Sequence, residues 1–204
     1  MKALIKKDVY TLAKQMKLYL LLILIAACIP DSTISAFAIV YSGLLPLTAL
    51  AYDERSKWDS LAVMMPYKKK DAVMSKYLLG YGSILISTVL NIVFAIAISY
   101  IRGAAFSADY FYSVIGVMCV GIFMVSIVMP IVYKFGVEKG RMGFLAVMII
   151  GIFFSMFADD IIVKALGSVS FSAAATIGLA AVFVIVVMAA SVSLSVRFYS
   201  KKAL

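Results

Sequence analysis

A chain of 204 residues that is 65% hydrophobic and only 14% charged, with a mean hydropathy of +1.08, carries more apolar surface than one soluble core can hide. Lipid must be its solvent, which excludes a soluble fold. The net charge of +9 would suit nucleic acid only if it formed one basic face, and here the charges fall between apolar runs, so no nucleic-acid partner is expected.

The first segment, residues 2–17 (KALIKKDVYTLAKQMK), sets Ile5, Val9, Leu12 and Met16 on one helical stripe with Lys6, Lys7, Lys14 and Lys17 off it. Such a helix lies in the headgroup layer, its stripe in acyl chains and its lysines against anionic phosphates. A plain basic flank that sets topology is the alternative. Leu18 to Ala51 follows, too long for one crossing and just long enough for two. Pro30 lacks an amide donor and Asp31 or Ser32 can cap a following helix, so a tight turn is placed there and the region is read as spans one and two. The run KLYLLLILIAAC also resembles a lipoprotein signal that would present Cys28 for lipid attachment. An uncleaved span is preferred, because the lead is long and amphipathic and more membrane follows.

Residues 53–76 form the one long polar passage. Trp58, Leu61, Ala62 and Met65 fall on a helical stripe too short to cross a membrane, with Asp53 and Glu54 expected at its N-terminus and Pro66 barring its continuation. Lys68 to Lys70 then anchor the next crossing. An ordinary loop that rests Trp58 in the interface is the alternative. Four further spans run from about Tyr77 to Tyr100, Tyr110 to Tyr133, Met142 to Ala158 and Ser172 to Val196, joined by a loop at 134–141 and followed by a tail at 197–204. The expected fold is thus all-α: a single polytopic domain of six transmembrane helices with an N-terminal interfacial helix and a surface helix after the second span. Six crossings put every basic residue except Arg102 and Lys164 on one face, which the positive-inside rule assigns to the cytoplasm together with both termini.

Other features carry less chemistry. Asp159 and Asp160 follow the fifth span at the external interface, where solvation makes charge inexpensive, and read as a solvated boundary. Residues 161–171 are a candidate external re-entrant helix. Pro46 and Pro130 are candidate kinks, and Ser83, Ser87, Thr88 and Asn91 give the third span a polar side that is expected to bond to a neighbouring helix. Histidine is absent and both cysteines, Cys28 and Cys119, lie in apolar runs, so neither a zinc cluster nor a disulfide framework is available.

Six spans, an interfacial N-terminal helix and the largest inner loop between spans two and three resemble the small permease subunits of ABC-2 type transporters, over nearly the whole length. The sharpest piece is YDERSKWDSLAVMMPYKKKDAVMSKYLLG. By position the resemblance assigns Asp53, Glu54, Lys57, Trp58 and Leu61 to a coupling helix, with Pro66 and Lys76 marking the return to the membrane. It implies a bacterial cytoplasmic-membrane permease, paired with a second permease as homodimer or heterodimer, with two ABC ATPase subunits beneath it. Bacterial members include drug and peptide exporters. The chain has no G-x-x-x-x-G-K-[ST] loop, so ATP and Mg belong to the partner ATPase and no catalytic, cofactor or metal site is expected here. The rival is a non-transporting membrane anchor, immunity or assembly protein. An ion-driven carrier is disfavoured because the charges flank the spans.

Overall fold

The computed structural model describes residues 4–13, Lys17, Leu21, Ile25, 32–58, Met64, 69–102, 108–150 and 173–202. Among the described residues all regular structure is helical: α1 (4–13), α2 (Ser32–Ser42), α3 (Leu45–Arg55), α4 (Lys69–Arg102), α5 (Ala108–Phe135), α6 (137–150) and α7 (Ala173–Lys202). The reason is the solvent. Hydrocarbon offers no partner to a backbone amide, so each segment closes its own hydrogen bonds. With 34 residues α4 is about 50 Å long, against roughly 30 Å of hydrocarbon, which leaves its charged first turn outside.

Helices long and apolar enough to cross a membrane number four among the described residues: Ala36–Arg55, Lys69–Ile101, Tyr110–Phe135 and Val182–Lys201. They correspond to the expected second, third, fourth and sixth spans. Most of the first span, the turn at Pro30 and Asp31, the later half of the fifth span, Asp159, Asp160 and 161–171 lie outside the described residues, as do Leu61 and Pro66. Helix α6 is the described part of the fifth.

The second span differs from expectation in two ways. It is broken at Gly43 and Leu44, whose amides bond back to the carbonyls of Val40 and Tyr41, both at 3.0 Å. Pro46 then sits in the first turn of α3, where its missing N–H has no helical partner to lose. The span also does not stop at Ala51 but runs through Asp53 and Glu54 to Arg55, with Ser56 as its C-cap. Helical propensity and the burial of Leu45, Leu47 and Ala49 carry the helix past the last apolar residue, so the hydropathy edge and the helix end do not coincide.

Helix directions follow from a few contacts. A Cβ on Gly80 would meet Val125 and one on Gly121 would meet Ile84, so α4 and α5 are antiparallel. Ser191 donates to the Ser126 carbonyl, and Tyr133 meets Tyr199 edge-on at 5.7 Å, so α5 and α7 run parallel. Val137 and Phe144 of α6 pack with Val128 and Val132 of α5 and Leu47 of α3, which turns α6 back along the bundle. The start of α4 and the ends of α3, α5 and α7 therefore share one end, and the basic residues of those segments gather there. The main core joins Ile39, Val73, Tyr77, Ile84, Val114, Val125, Met129 and Tyr133. Outward faces are oily: Leu85, Ile86, Val89 and Val93 of α4 and Val182, Phe183, Ile185 and Val186 of α7 are exposed, the inverse of a soluble protein.

Candidate functional site

At the basic end, α1 docks against α3 and α4. Its buried face is Leu4, Asp8 and Leu12, at successive steps of four, and Leu12 clusters with Leu45, Ala49 and Leu79. This splits the stripe expected to lie in acyl chains: Val9 is 39% exposed as that expectation requires, but Leu12 is buried in the protein, and so is Asp8, at 2%. Hydropathy alone cannot place an aspartate inward. A buried cation can.

That cation is Lys76, more than a turn into α4 and itself 5% exposed. Its ammonium donates to Asp8 Oδ1 at 2.7 Å and lies 2.6 Å from Asp53 Oδ2. Lys7 closes the figure, with Nζ 2.6 Å from Asp53 Oδ1 and 3.2 Å from Asp8 Oδ1. Each ammonium touches both carboxylates and each carboxylate both ammoniums. This alternation lets Asp8 and Lys76 leave water, since each finds two opposite neighbours, while Lys7 stays partly exposed. Lys76 thus does more than mark the return of the chain to the membrane; it ties α1, α3 and α4 at one point.

Trp58 is attached to the same lattice. Lys7 Nζ stands 4.0 Å from the centroid of its ring, within cation–π range, and the indole is half-buried. The turn that delivers it leaves α3 through Lys57, whose φ of 51° lies in the left-handed region that favours glycine. The Lys57 amide donates to the Glu54 carbonyl at 3.2 Å and the Ser56 amide to Tyr52 at 2.9 Å, which closes the helix end. A cavity of about 60 Å3 beside the lattice is lined by Asp8, Ser75, Trp58, Tyr133 and Tyr199 among others.

Asp53 and Glu54 do not stand at the start of a surface helix, as their charge suggested. They occupy the last turn of α3 and bond to other helices of the same chain. Asp53 belongs to the lattice. Glu54 reaches the next bend, where its Oε2 accepts from the Val137 amide at 3.2 Å and so caps the first turn of α6, an orphan donor at the positive end of a helix dipole. Gly136, with φ +89°, makes that bend. Of the residues assigned to coupling, the structure brings Asp53, Glu54 and Trp58 together, leaves Lys57 exposed beside them, and does not describe Leu61 or Pro66.

Above the lattice a hydroxyl seam joins α4, α5 and α7. Tyr77 Oη is 2.6 Å from Ser191 Oγ and 2.7 Å from Ser195 Oγ, Ser191 donates to the Ser126 carbonyl, and Tyr81 Oη is 2.9 Å from Ser126 Oγ. In lipid such bonds act between helices where hydrophobic pressure does not. The polar side of the third span has mixed partners. Ser83 donates to Ser42 of α2 at 3.0 Å, as expected, whereas Thr88 bonds back to its own helix at Ile84. Asn91 is fully buried, and among the described residues neither amide atom has a partner. No group of three metal-ligating side chains occurs among the described residues.

Sequence reading passed over Asp8, Ser126, Ser191 and Ser195. Asp8 had a signal: it is the sole acid in the first seventeen residues and falls in step with Leu4 and Leu12. The serines had none, since serine is common in apolar helices.

No curated protein and no solved structure matches the chain. A family model described as ABC-2 family transporter protein matches residues 3–200, and with four helices among the described residues long and apolar enough to cross a membrane, the chain belongs to the ABC-2 transporter family, as a multi-pass membrane protein in the permease role.

Proposed function

We propose that the chain is the membrane-spanning permease subunit of an ATP-driven exporter for peptides or drug-like amphiphiles. The basic end is cytoplasmic. Two copies of a separate ABC ATPase supply ATP and Mg chemistry there, and a second permease, identical or not, completes the pathway across the bacterial inner membrane. The chain itself hydrolyses nothing.

The observation that carries this reading is the lattice. Trp58, at the root of the 53–76 loop, rests on Lys7, and Lys7 shares carboxylates with Lys76, so a push on the loop is delivered to α1, α3 and α4 at once. An ion-pair joint suits force transfer because it is stiff at 2.6–2.7 Å yet has alternative pairings within reach. In this scheme Asp53 and Glu54 are anchors for the loop rather than contacts with the motor, and Lys57 with the segment beyond Trp58 meets the ATPase.

Co-expression with an ATPase encoded beside the chain tests this. The complex should survive purification, and Trp58→Ala should lower cargo-stimulated hydrolysis while leaving membrane insertion intact. If no ATPase is ever retained, the anchor or assembly reading replaces the exporter. If the complex forms and Trp58→Ala couples normally, the loop has no part in transmission.

A further inference from the structure

Between the end of α3 and the bend from α5 into α6 lies an open groove of about 410 Å3, whose lining includes Arg55, Phe135, Glu138, Lys139 and Arg141. Arg55, Lys139 and Arg141 outnumber the acids Glu54 and Glu138 there, and Glu54 also accepts from the Val137 amide. The Phe135 ring is 52% exposed, with Lys134 and Lys139 at 4.9 and 6.0 Å from its centroid. Two candidate spans end at this groove, one at Arg55 and one at Phe135, so it opens at the level where hydrocarbon gives way to headgroups.

The groove is continuous with an apolar track. From Arg141, steps of four along α6 reach Leu145 and Ile149, which are 60% and 53% exposed, and Met142 beside them is 74% exposed. A basic concavity at the interface joined to an oily strip that descends from it has the two-part chemistry of a phospholipid. A soluble acidic partner would answer the bases but make no use of the strip. A zwitterionic lipid would bring its own ammonium among Arg55, Lys139 and Arg141, whereas an anionic one brings net negative charge.

We infer that this groove binds an anionic phospholipid, its phosphate held by Arg55, Lys139 and Arg141 and an acyl chain lying along Leu145 and Ile149. The site is independent of the exporter reading. It pins the end of α3 to the start of α6, across the same corner that Glu54 closes through the Val137 amide.

The test uses the whole chain in mild detergent, titrated with phosphatidylglycerol or phosphatidylcholine of matched acyl chains and read by native mass spectrometry. The wild type should prefer phosphatidylglycerol. Each base near an anionic lipid contributes about a fivefold factor, so R55Q/K139Q/R141Q should lose roughly a hundredfold in that affinity, and the milder Arg141→Gln about fivefold. The control K70Q/R197Q/K201Q, three exposed bases at the same end, should bind as the wild type does. Unchanged helical circular dichroism certifies that the variants are folded. Equal affinity of the wild type for both lipids, equal loss in both triple variants, or a groove variant that keeps its lipid but sheds a co-purifying ATPase would each overturn the inference.

Discussion

Replacing Lys76 with methionine removes the buried ammonium that contacts both the buried Asp8 and the partly buried Asp53. Asp8, 2% exposed, would keep only Lys7 at 3.2 Å, and Asp53 only Lys7 at 2.6 Å. Breaking a buried pair from one side costs about 3–5 kcal/mol. The surviving Lys7 contacts put this case at the low end, about 3 kcal/mol. Domain scaling for chains of this size converts that into an apparent melting point lower by roughly 6–12 °C. The assay is thermal unfolding in detergent with a thiol-reactive fluorophore in a Cys28→Ser background, since Cys119 is a buried free thiol that labels on opening. Asp8→Asn alone should also destabilise, because it strands Lys76 and Lys7 on Asp53. The double variant D8N/K76M leaves the Lys7–Asp53 pair intact and should be less damaged than the sum of the singles, with a coupling of about 2 kcal/mol. Additive losses, or a Lys76→Met midpoint equal to wild type, would show that the four charges do not act as a unit. Salt should weaken the Lys76–Asp8 contact little, because burial shields it from the screening that weakens exposed pairs.

Lys57→Gly should raise stability by about 1 kcal/mol, because glycine accepts the left-handed backbone that lysine holds under strain, and a lower melting point would refute that reading of the turn. Gly140→Ala should destabilise by about 1–3 kcal/mol, since the new methyl would press on Val132, whose Cα lies 3.3 Å away, whereas Gly116→Ala meets open space and should be neutral or slightly stabilising in the same assay. Asn91→Leu should stabilise the described conformation by about 1–2 kcal/mol, because it removes a fully buried amide with no partner among the described residues at similar volume; a drop in melting point would show that the amide is bonded.

Two groups of charged residues show where sequence reading succeeds and where it stops. The clustering of Arg55, Lys69, Lys70, Lys134, Lys139, Arg141 and Arg197 at one end was legible, because each lies at the edge of its own apolar run and edges alternate between faces. The roles of Asp53 and Glu54 were not. Their position after an apolar run suggested the start of a new helix, and only the packing of α3 showed that the old helix continues through them. The resemblance assigns Trp58 to the coupling helix. What holds it is Lys7, in a segment whose lysines had been read as facing lipid phosphates.

The amino-acid sequence by itself determined that this chain lives in lipid, that it is helical, where four of its long spans lie and which of their ends share a face. Those properties come from transfer free energies and backbone satisfaction, which act within a window of about twenty residues and need no knowledge of neighbours. The tertiary structure alone decided which face of α1 is buried, that Asp8 and Lys76 are partners across 68 positions and Lys7 and Asp53 across 46, and that Glu54 caps α6. A charge chooses its partner by which docked helices bring an opposite charge within about 3 Å, and that choice depends on packing far along the chain.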